Sequence, residues 1–382
     1  MADPRIDKLA RLMTRYSVKL KPGNTVIIRG DAIAAPLIQA CYREALECGA
    51  HPMTDISIDG LSEIFFDVAK PKQLTWVNPY SKHRMRSVDA TIGIWGSRNT
   101  RALSGSDPKK MALAAKANQP LTKIFMERSA RGDLHWVGTQ WPCHASAQDA
   151  EMSLEAYENF VFGAGFLDEK DPVQIWKEIS KSQQALTRRL NRARSIRIVA
   201  EDTDLTYSCK GRKWINCDGQ YNIPDGEIFT GPVETSVEGH ISFSFPAVHG
   251  GQEVVGARLT FEKGRVVKAE ASKGEEFLKA MVGMDRGSAY VGEAAIATNY
   301  NITRFTRNTL FDEKIGGTVH IALGSAYPET GSSNPSGLHW DMVCDLRQGG
   351  EIYVDGELLQ KNGRFLDKQY PRARRTRKKG RG

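Results

Sequence analysis

The chain has 382 residues, 40% hydrophobic and 26% charged, which excludes a disordered or fibrous protein and exceeds what one core of ordinary size uses, so two domains are expected. No apolar run reaches the roughly 18 to 20 residues that span a bilayer, and the first 25 residues lack the apolar stretch of a signal peptide, so a cytoplasmic location without membrane association is expected. The formal charge of +8 does not mark the body as nucleic-acid binding: the last fifteen residues, KQYPRARRTRKKGRG, hold eight Lys or Arg and no acid, and the first 367 carry no net charge.

Asp3-Pro4 reads as an N-cap followed by proline at the first helical position, and Ile6, Leu9, Leu12 and Met13 then recur at helical spacing. Thr25 to Arg29 (TVIIR) predicts a strand, followed by a helix from about Ala34 to Cys48 that ends at Gly49. Strand-like runs follow near Ala90 to Trp95 (ATIGIW) and near Leu121 to Met126 (LTKIFM). Strands alternating with helices predict parallel pairing, so residues 1–194 are expected to form an N-terminal α/β domain with a parallel sheet, and the fold class is α/β. Gly163-Ala164-Gly165 lacks the third glycine and preceding strand of a dinucleotide loop and reads as a plain loop.

A charged helix covers about Asp171 to Arg194, after which the texture changes to short alternating segments broken by glycines: SIRIVA, TDLTYSC, HISFSF, VVGARLTF, GRVVKAEA, TVHIALG and EIYVDGEL. Residues 195–367 are therefore expected to form a β-rich α+β domain. Residues 368–382 read as a solvated, disordered basic tail, with polyanion contact as its alternative role. Six scattered cysteines, without a C-x-x-C pair, suit reduced packing residues.

The chemistry-bearing residues fall in the second half. His339 and Asp341 are two apart in a strand-like segment, so both side chains point to one face; by itself the spacing suits either a hydrogen-bonded surface pair or a pair of metal ligands. His320 shares a face with the small Thr318 and Ala322 in an otherwise apolar strand; it reads as a satisfied core histidine or, given the room beside its ring, as a ligand. Glu227 and Glu293 stand in glycine-framed, largely apolar contexts, each either an exposed turn residue or a buried carboxylate that must be paired or bound to a cation. Together these are three carboxylates and two imidazoles, a mixed O/N set without thiolate that suits zinc, cobalt or manganese in a hydrolytic site, and five ligands with a bridging carboxylate suit two divalent ions.

The phrases PDGEIFTGPVETSVEGHISF, Gly292-Glu293, NTLFDEKIGGTVHIALGSAYP and NPSGLHWDMV, in that order, resemble the aminopeptidase T and aminopeptidase S family of thermophilic-type leucine aminopeptidases. The resemblance covers most of the second domain and, more loosely, the first, as in SVDATIGIWGSRN. It implies a metallo-aminopeptidase acting on peptides with a free N-terminus, a dinuclear centre with a metal-bridging water, and Glu227, Glu293, His320, His339 and Asp341 as metal ligands. It also implies a catalytic role for Glu227 or Glu293 as the proton acceptor, a hydrogen bond from Tyr327 to the tetrahedral oxyanion, and a homodimer formed through the second domain. The connection PETGSSNPSGL between Tyr327 and His339 is shorter than the family's usual one, which bears on substrate preference and dimer contacts rather than on the ligands.

Two other readings compete. Dihydroxypyridine dioxygenases resemble this sequence but use a smaller histidine and carboxylate set around one iron; both Glu227 and Glu293 argue against that chemistry here. A polyanion-binding scaffold rests on the basic tail alone. The chain contains no G-x-S-x-G, H-E-x-x-H or P-loop motif.

Overall fold

A computed structural model describes residues 3–373. Residues 374–382, most of the expected tail, lie outside the described residues. The chain divides into two compact units, Met1–Val173 with Gly219–Pro224, and Gln174–Asp218 with Asp225–Gly382. The architecture is mixed α/β, with one parallel sheet and antiparallel sheets beside it.

In the first unit the opening helix, Pro4–Arg11, is capped by Asp3, whose carboxylate accepts the Arg5 backbone N–H at 2.9 Å. The sheet runs His51–Ser57, Thr25–Asp31, Ala90–Trp95, His135–Gln140, Asn222–Ile223, and its neighbours all pair in parallel. The helix Ala35–Glu47 buries Leu37, Ile38, Ala40, Cys41 and Ala45, a stripe at helical spacing.

Two local expectations are corrected. LTKIFM is not a strand but part of the helix Pro108–Ala130, capped by Asp107. Leu121, Ile124 and Phe125 sit at i, i+3 and i+4, a helical stripe that a six-residue window mistakes for a strand. The strand that follows is His135–Gln140. Gly163 and Ala164 close the helix Leu154–Ala164 instead of lying in a loop, and Gly165 is its C-cap.

The second unit contains most of the charged helix Pro172–Leu190 and two large antiparallel sheets. The eight-stranded sheet orders Arg265–Glu270, Arg258–Glu262, Glu238–Ser242, Thr203–Ser208, Ser195–Ala200, Glu351–Val354, Glu357–Lys361 and Arg364–Phe365. The five-stranded sheet orders His339–Asp345, Thr318–Gly324, Val291–Ala297, Glu227–Thr230 and Ile215–Cys217. One buried cluster joins Ile198, Leu205 and Leu259 of the first sheet to Ile296, Ile321, Trp340 and Met342 of the second. At the chain's end Tyr370 is buried, its ring 6.1 Å from that of Phe365.

Candidate metal centre

The five-stranded sheet brings all five expected ligands onto one face. Residues directly opposite across a ladder share a face, and so do residues two apart on a strand. Glu293 lies opposite Ala322, which lies opposite Asp341; Ala297 lies opposite Glu227; Ala295 lies opposite His320; Gly324 lies opposite His339. The cross-strand partners are mostly alanine or glycine, so the long polar side chains have room above the sheet. The intervening positions, among them Ala294, Ile296, Val319, Ile321, Trp340 and Met342, point into the core. That alternation anchors the ligand face on packed hydrophobic residues.

The side chains meet over this face. One oxygen of Glu293, Oε1, lies 3.4 Å from His320 Nε2, and the other, Oε2, lies 3.4 Å from His339 Nε2. Glu227 Oε2 is 3.7 Å and Asp341 Oδ1 3.8 Å from His320 Nε2, and Asp341 Oδ2 is 3.6 Å from His339 Nε2. Two triads follow, each with ligand atoms within 4.8 Å of one another: Glu227, Glu293 and His320, and Glu293, His339 and Asp341. Glu293 belongs to both.

The backbone fixes how each imidazole faces the cluster. His320 Nδ1 donates to the Glu313 carbonyl at 3.0 Å and His339 Nδ1 to the Ser325 carbonyl at 2.9 Å. A carbonyl can only accept, so each ring carries a proton on Nδ1 and turns Nε2 to the carboxylates, as an N–H donor when the ring is charged and as a lone pair when it is neutral. Glu227 is held through its main chain: the Gln183 amide donates to the carbonyls of Glu227 and Cys217 at 3.1 and 2.9 Å. Before it, Gly226 has φ +124° and packs so close to Asn299 that a Cβ would stand 2.7 Å from that side chain, so only glycine fits.

The electrostatics are those of a buried acidic cluster. Burial works against the charged imidazoles, but the hydrogen bond to Glu293 and the neighbouring carboxylates outweigh it, pushing His320 up to about 10 and His339 up to about 9. Burial raises the Glu227 and Asp341 carboxyls; for Glu293 burial is overcome by its two histidine hydrogen bonds, which hold it low. Glu227 Oε2 and Asp341 Oδ1 are buried and accept no hydrogen bond among the described residues. An oxygen so placed is costly unless a cation faces it. The donor set therefore fits divalent metal ions.

Several residues of the centre are invisible to sequence reasoning. Lys314 is fully buried, with its ammonium 3.5 Å from Glu227 Oε1 and ion-paired to Glu313; burial opposes its charge, but Glu227, Glu313 and Asp225 hold it firmly protonated. Glu313 forms a third triad with His320 and Asp341, and Cys217 with Asp225 and Glu227. Asp-Glu-Lys ahead of a glycine pair reads as a solvated turn, and nothing in the local pattern marks it as interior. Tyr327 stands over the same face, its ring 5.3 Å from that of His339 and 5.2 Å from that of Phe229, which lies opposite Ala295. Burial, with Glu293 and Asp341, raises its phenol far above the ordinary value, so it stays protonated and able to donate.

Asp312, beside this group, supplies a stability test. Burial pushes its carboxyl up to about 7, against the hydrogen bonds it accepts from Thr306 N at 2.7 Å and Thr306 Oγ1 at 2.9 Å. Raised above its unfolded value of about 3.9, it contributes stability that is fully present below pH ~4 and lost as pH rises through 7. Asp312→Asn keeps the accepting oxygen without the charge. It should match wild type near pH 4 and exceed it by on the order of 2 kcal/mol at pH 8 in denaturant melts; equal stability at pH 8 would show that the carboxylate is accommodated without strain.

A family model described as thermophilic metalloprotease (M29) matches residues 2–365. The chain is 29% identical over 405 residues to aminopeptidase T of Thermus thermophilus, covering 94% of this chain and 98% of that protein. It is 28% identical over 379 residues to aminopeptidase PepS of Streptococcus thermophilus, covering 92% and 91%. Among solved structures, wild-type AmpT from Thermus thermophilus superposes with a TM-score of 0.84 at 24% identity, over 95% of this chain and 99% of that one. The 2,5-dihydroxypyridine dioxygenase of Pseudomonas putida KT2440 shares the fold at a TM-score of 0.58 and 12% identity, over 96% and 97%.

Proposed function

This chain belongs to the thermophilic metalloprotease family M29 and is a metallo-aminopeptidase, and from that premise we propose that Glu227, Glu293, His320, His339 and Asp341 hold two divalent ions with Glu293 shared between them. The observation that carries this reading is the placement of Glu293, each of whose oxygens faces a different imidazole at 3.4 Å, one in each ligand triad. Charge supports it. With both imidazoles deprotonated, as ligation to a metal requires, the five carboxylates (Asp225, Glu227, Glu293, Glu313 and Asp341) and the Lys314 ammonium carry a formal charge of −4, which two divalent ions neutralise and one does not. The mixed O/N donors suit zinc, cobalt or manganese.

When bound, such ions supply Lewis acidity toward the scissile carbonyl and lower the pKa of a water shared between them. The protein's own residues do the rest. The Nδ1–H hydrogen bonds of His320 and His339 fix both rings, so neither needs to reorganise during turnover. Glu227 or Glu293 accepts the proton of the attacking water and passes it to the leaving amine. Tyr327, kept protonated, donates to the oxygen on which negative charge develops. The substrate is a peptide with a free N-terminus. A homodimer, which the family resemblance implies, belongs to the same proposal, as does a cytoplasmic setting. No helix among the described residues is long and apolar enough to cross a membrane.

The direct test is elemental analysis of the purified protein beside hydrolysis of a leucyl-anilide, before and after dialysis against a chelator. About two metals per chain, with activity lost on chelation and restored by zinc, cobalt or manganese, is the expected result. A single iron with no peptidase activity would favour the dioxygenase chemistry of the more distant structural relative.

A further inference from the structure

Tyr370 and Pro371 are buried and fix the place where the basic end of the chain leaves the second unit. Tyr370 and Gln369 line a cleft of about 440 Å³ together with Arg188, Arg189 and Arg192, which lie at and just beyond the C-terminal end of the helix Pro172–Leu190. We propose that this arginine cleft and the basic segment that starts beside it, residues 372–382, form one surface that binds the phosphodiester backbone of a nucleic acid without reading its sequence.

The positive charge here is not balanced locally. On the folded part, the three arginines of the cleft with Arg194, Lys368 and Arg372 make six cations, against the three acids Asp355, Glu357 and Asp367. Those acids are already engaged. Asp355 accepts the backbone N–H groups of Arg194 and Ser195 at 2.9 and 2.8 Å, Glu357 pairs with Arg189 at 3.0 Å, and Asp367 accepts from the Gln369 backbone and amide at 2.9 and 2.7 Å. The side chains of Arg188 and Arg192 are exposed and make no ion pair or hydrogen bond among the described residues. The helix dipole accounts for Arg188 and Arg189 in the last turn, but not for Arg192 beyond it. Residues 374–382 add six more cations (Arg374, Arg375, Arg377, Lys378, Lys379 and Arg381) and no acid. Six and six make twelve, of which nine are arginine. A guanidinium pairs two phosphate oxygens at once, which a lysine ammonium does not. The segment after Pro371 contains no side chain more apolar than that of Ala373 and no cysteine, so it lacks the inserting or acylated groups that hold a chain to a lipid surface. Tyr370 is buried and cannot stack on a base, so the contact is with backbone charge.

The test measures binding of the full chain to a labelled oligouridine RNA, to a labelled DNA duplex of mixed sequence and to vesicles of phosphatidylcholine with phosphatidylserine, by fluorescence anisotropy and co-sedimentation at several salt concentrations. Two variants are compared with wild type: a chain ending at Pro371, and the double substitution Arg188→Ala with Arg192→Ala. Both leave the buried Tyr370 and Pro371 in place, and a thermal melt checks that both fold. Wild type should bind nucleic acid with an affinity that falls about 10²- to 10³-fold between 50 and 200 mM salt, as six or so phosphate contacts require. Tighter binding of the RNA or of the duplex names the source, and either supports the proposal. The shortened chain should lose more than about 100-fold in affinity at 50 mM salt, and the double substitution should lower the slope of log affinity against log salt by about 1 to 2. Wild type that binds neither oligonucleotide at 50 mM salt, or a shortened chain that binds as wild type does, overturns the proposal. A double substitution with an unchanged slope also overturns it, because the terminal segment would then act without the cleft. Tighter binding to the vesicles than to either oligonucleotide assigns the surface to lipid instead.

Discussion

Replacing Glu293 by alanine should remove metal and activity together: metal content falls from about two per chain to less than one, and leucyl-anilide hydrolysis drops ~10⁴-fold, about 5 kcal/mol of transition-state stabilisation. The size of the effect follows from position. Glu293 is the only residue common to both ligand triads, and its two oxygens face His320 and His339 at 3.4 Å each. Removing any other ligand empties part of one triad, whereas removing Glu293 breaks both. The site tolerates the smaller side chain, because Glu293 stands opposite Ala322 in a strand whose other face is packed in the core. Folding should therefore survive, and circular dichroism with a thermal melt checks that it does. A variant that keeps two metals per chain and more than a tenth of the activity would remove Glu293 from the bridging role. Glu293→Gln, which preserves the shape but not the charge, separates the two contributions: a loss equal to that of alanine assigns the effect to charge.

Tyr327→Phe should give the second largest effect, with a different signature. The phenol is held over the ligand face between Phe229 and His339, at ring distances of 5.2 and 5.3 Å, so the phenylalanine ring keeps this packing and only the hydroxyl is lost. If that hydroxyl donates to the developing oxyanion, kcat should fall about 10²- to 10³-fold, the scale of one oxyanion donor, with little change in KM or metal content. A donor that acts only in the transition state lowers kcat and kcat/KM alike. A rise in KM at constant kcat would instead make Tyr327 a binding residue, and a fall of less than threefold would leave it a packing residue.

Much of this was legible in the amino-acid order. The strand-helix alternation of the first half predicts a parallel sheet, which is the sheet found, and TVIIR and ATIGIW mark two of its strands. His339 and Asp341 had to share a face because they are two apart on a strand, and the small Thr318 and Ala322 beside His320 signalled room for the ring. The misreading of LTKIFM has a simple cause: over six residues a helical stripe and a strand look alike, and only the full 23-residue element separates them.

What local sequence determined, then, is periodicity: which residues alternate, which recur at helical spacing, and hence which side chains can share a face. Those are properties of neighbouring residues and survive reading in one dimension. What only the tertiary structure decided is register between strands far apart in the chain. Register alone sets Glu293 across Ala322 from Asp341 and turns its two oxygens to two different histidines. It also carries Asp312, Glu313 and Lys314, a charged triplet that reads as a solvated turn, into the interior beside the centre. A lysine at 0% exposure is tolerable there only because its neighbour Glu313 and the carboxylate of Glu227, remote in sequence, both face it, and the second of these depends on distance in space, not along the chain.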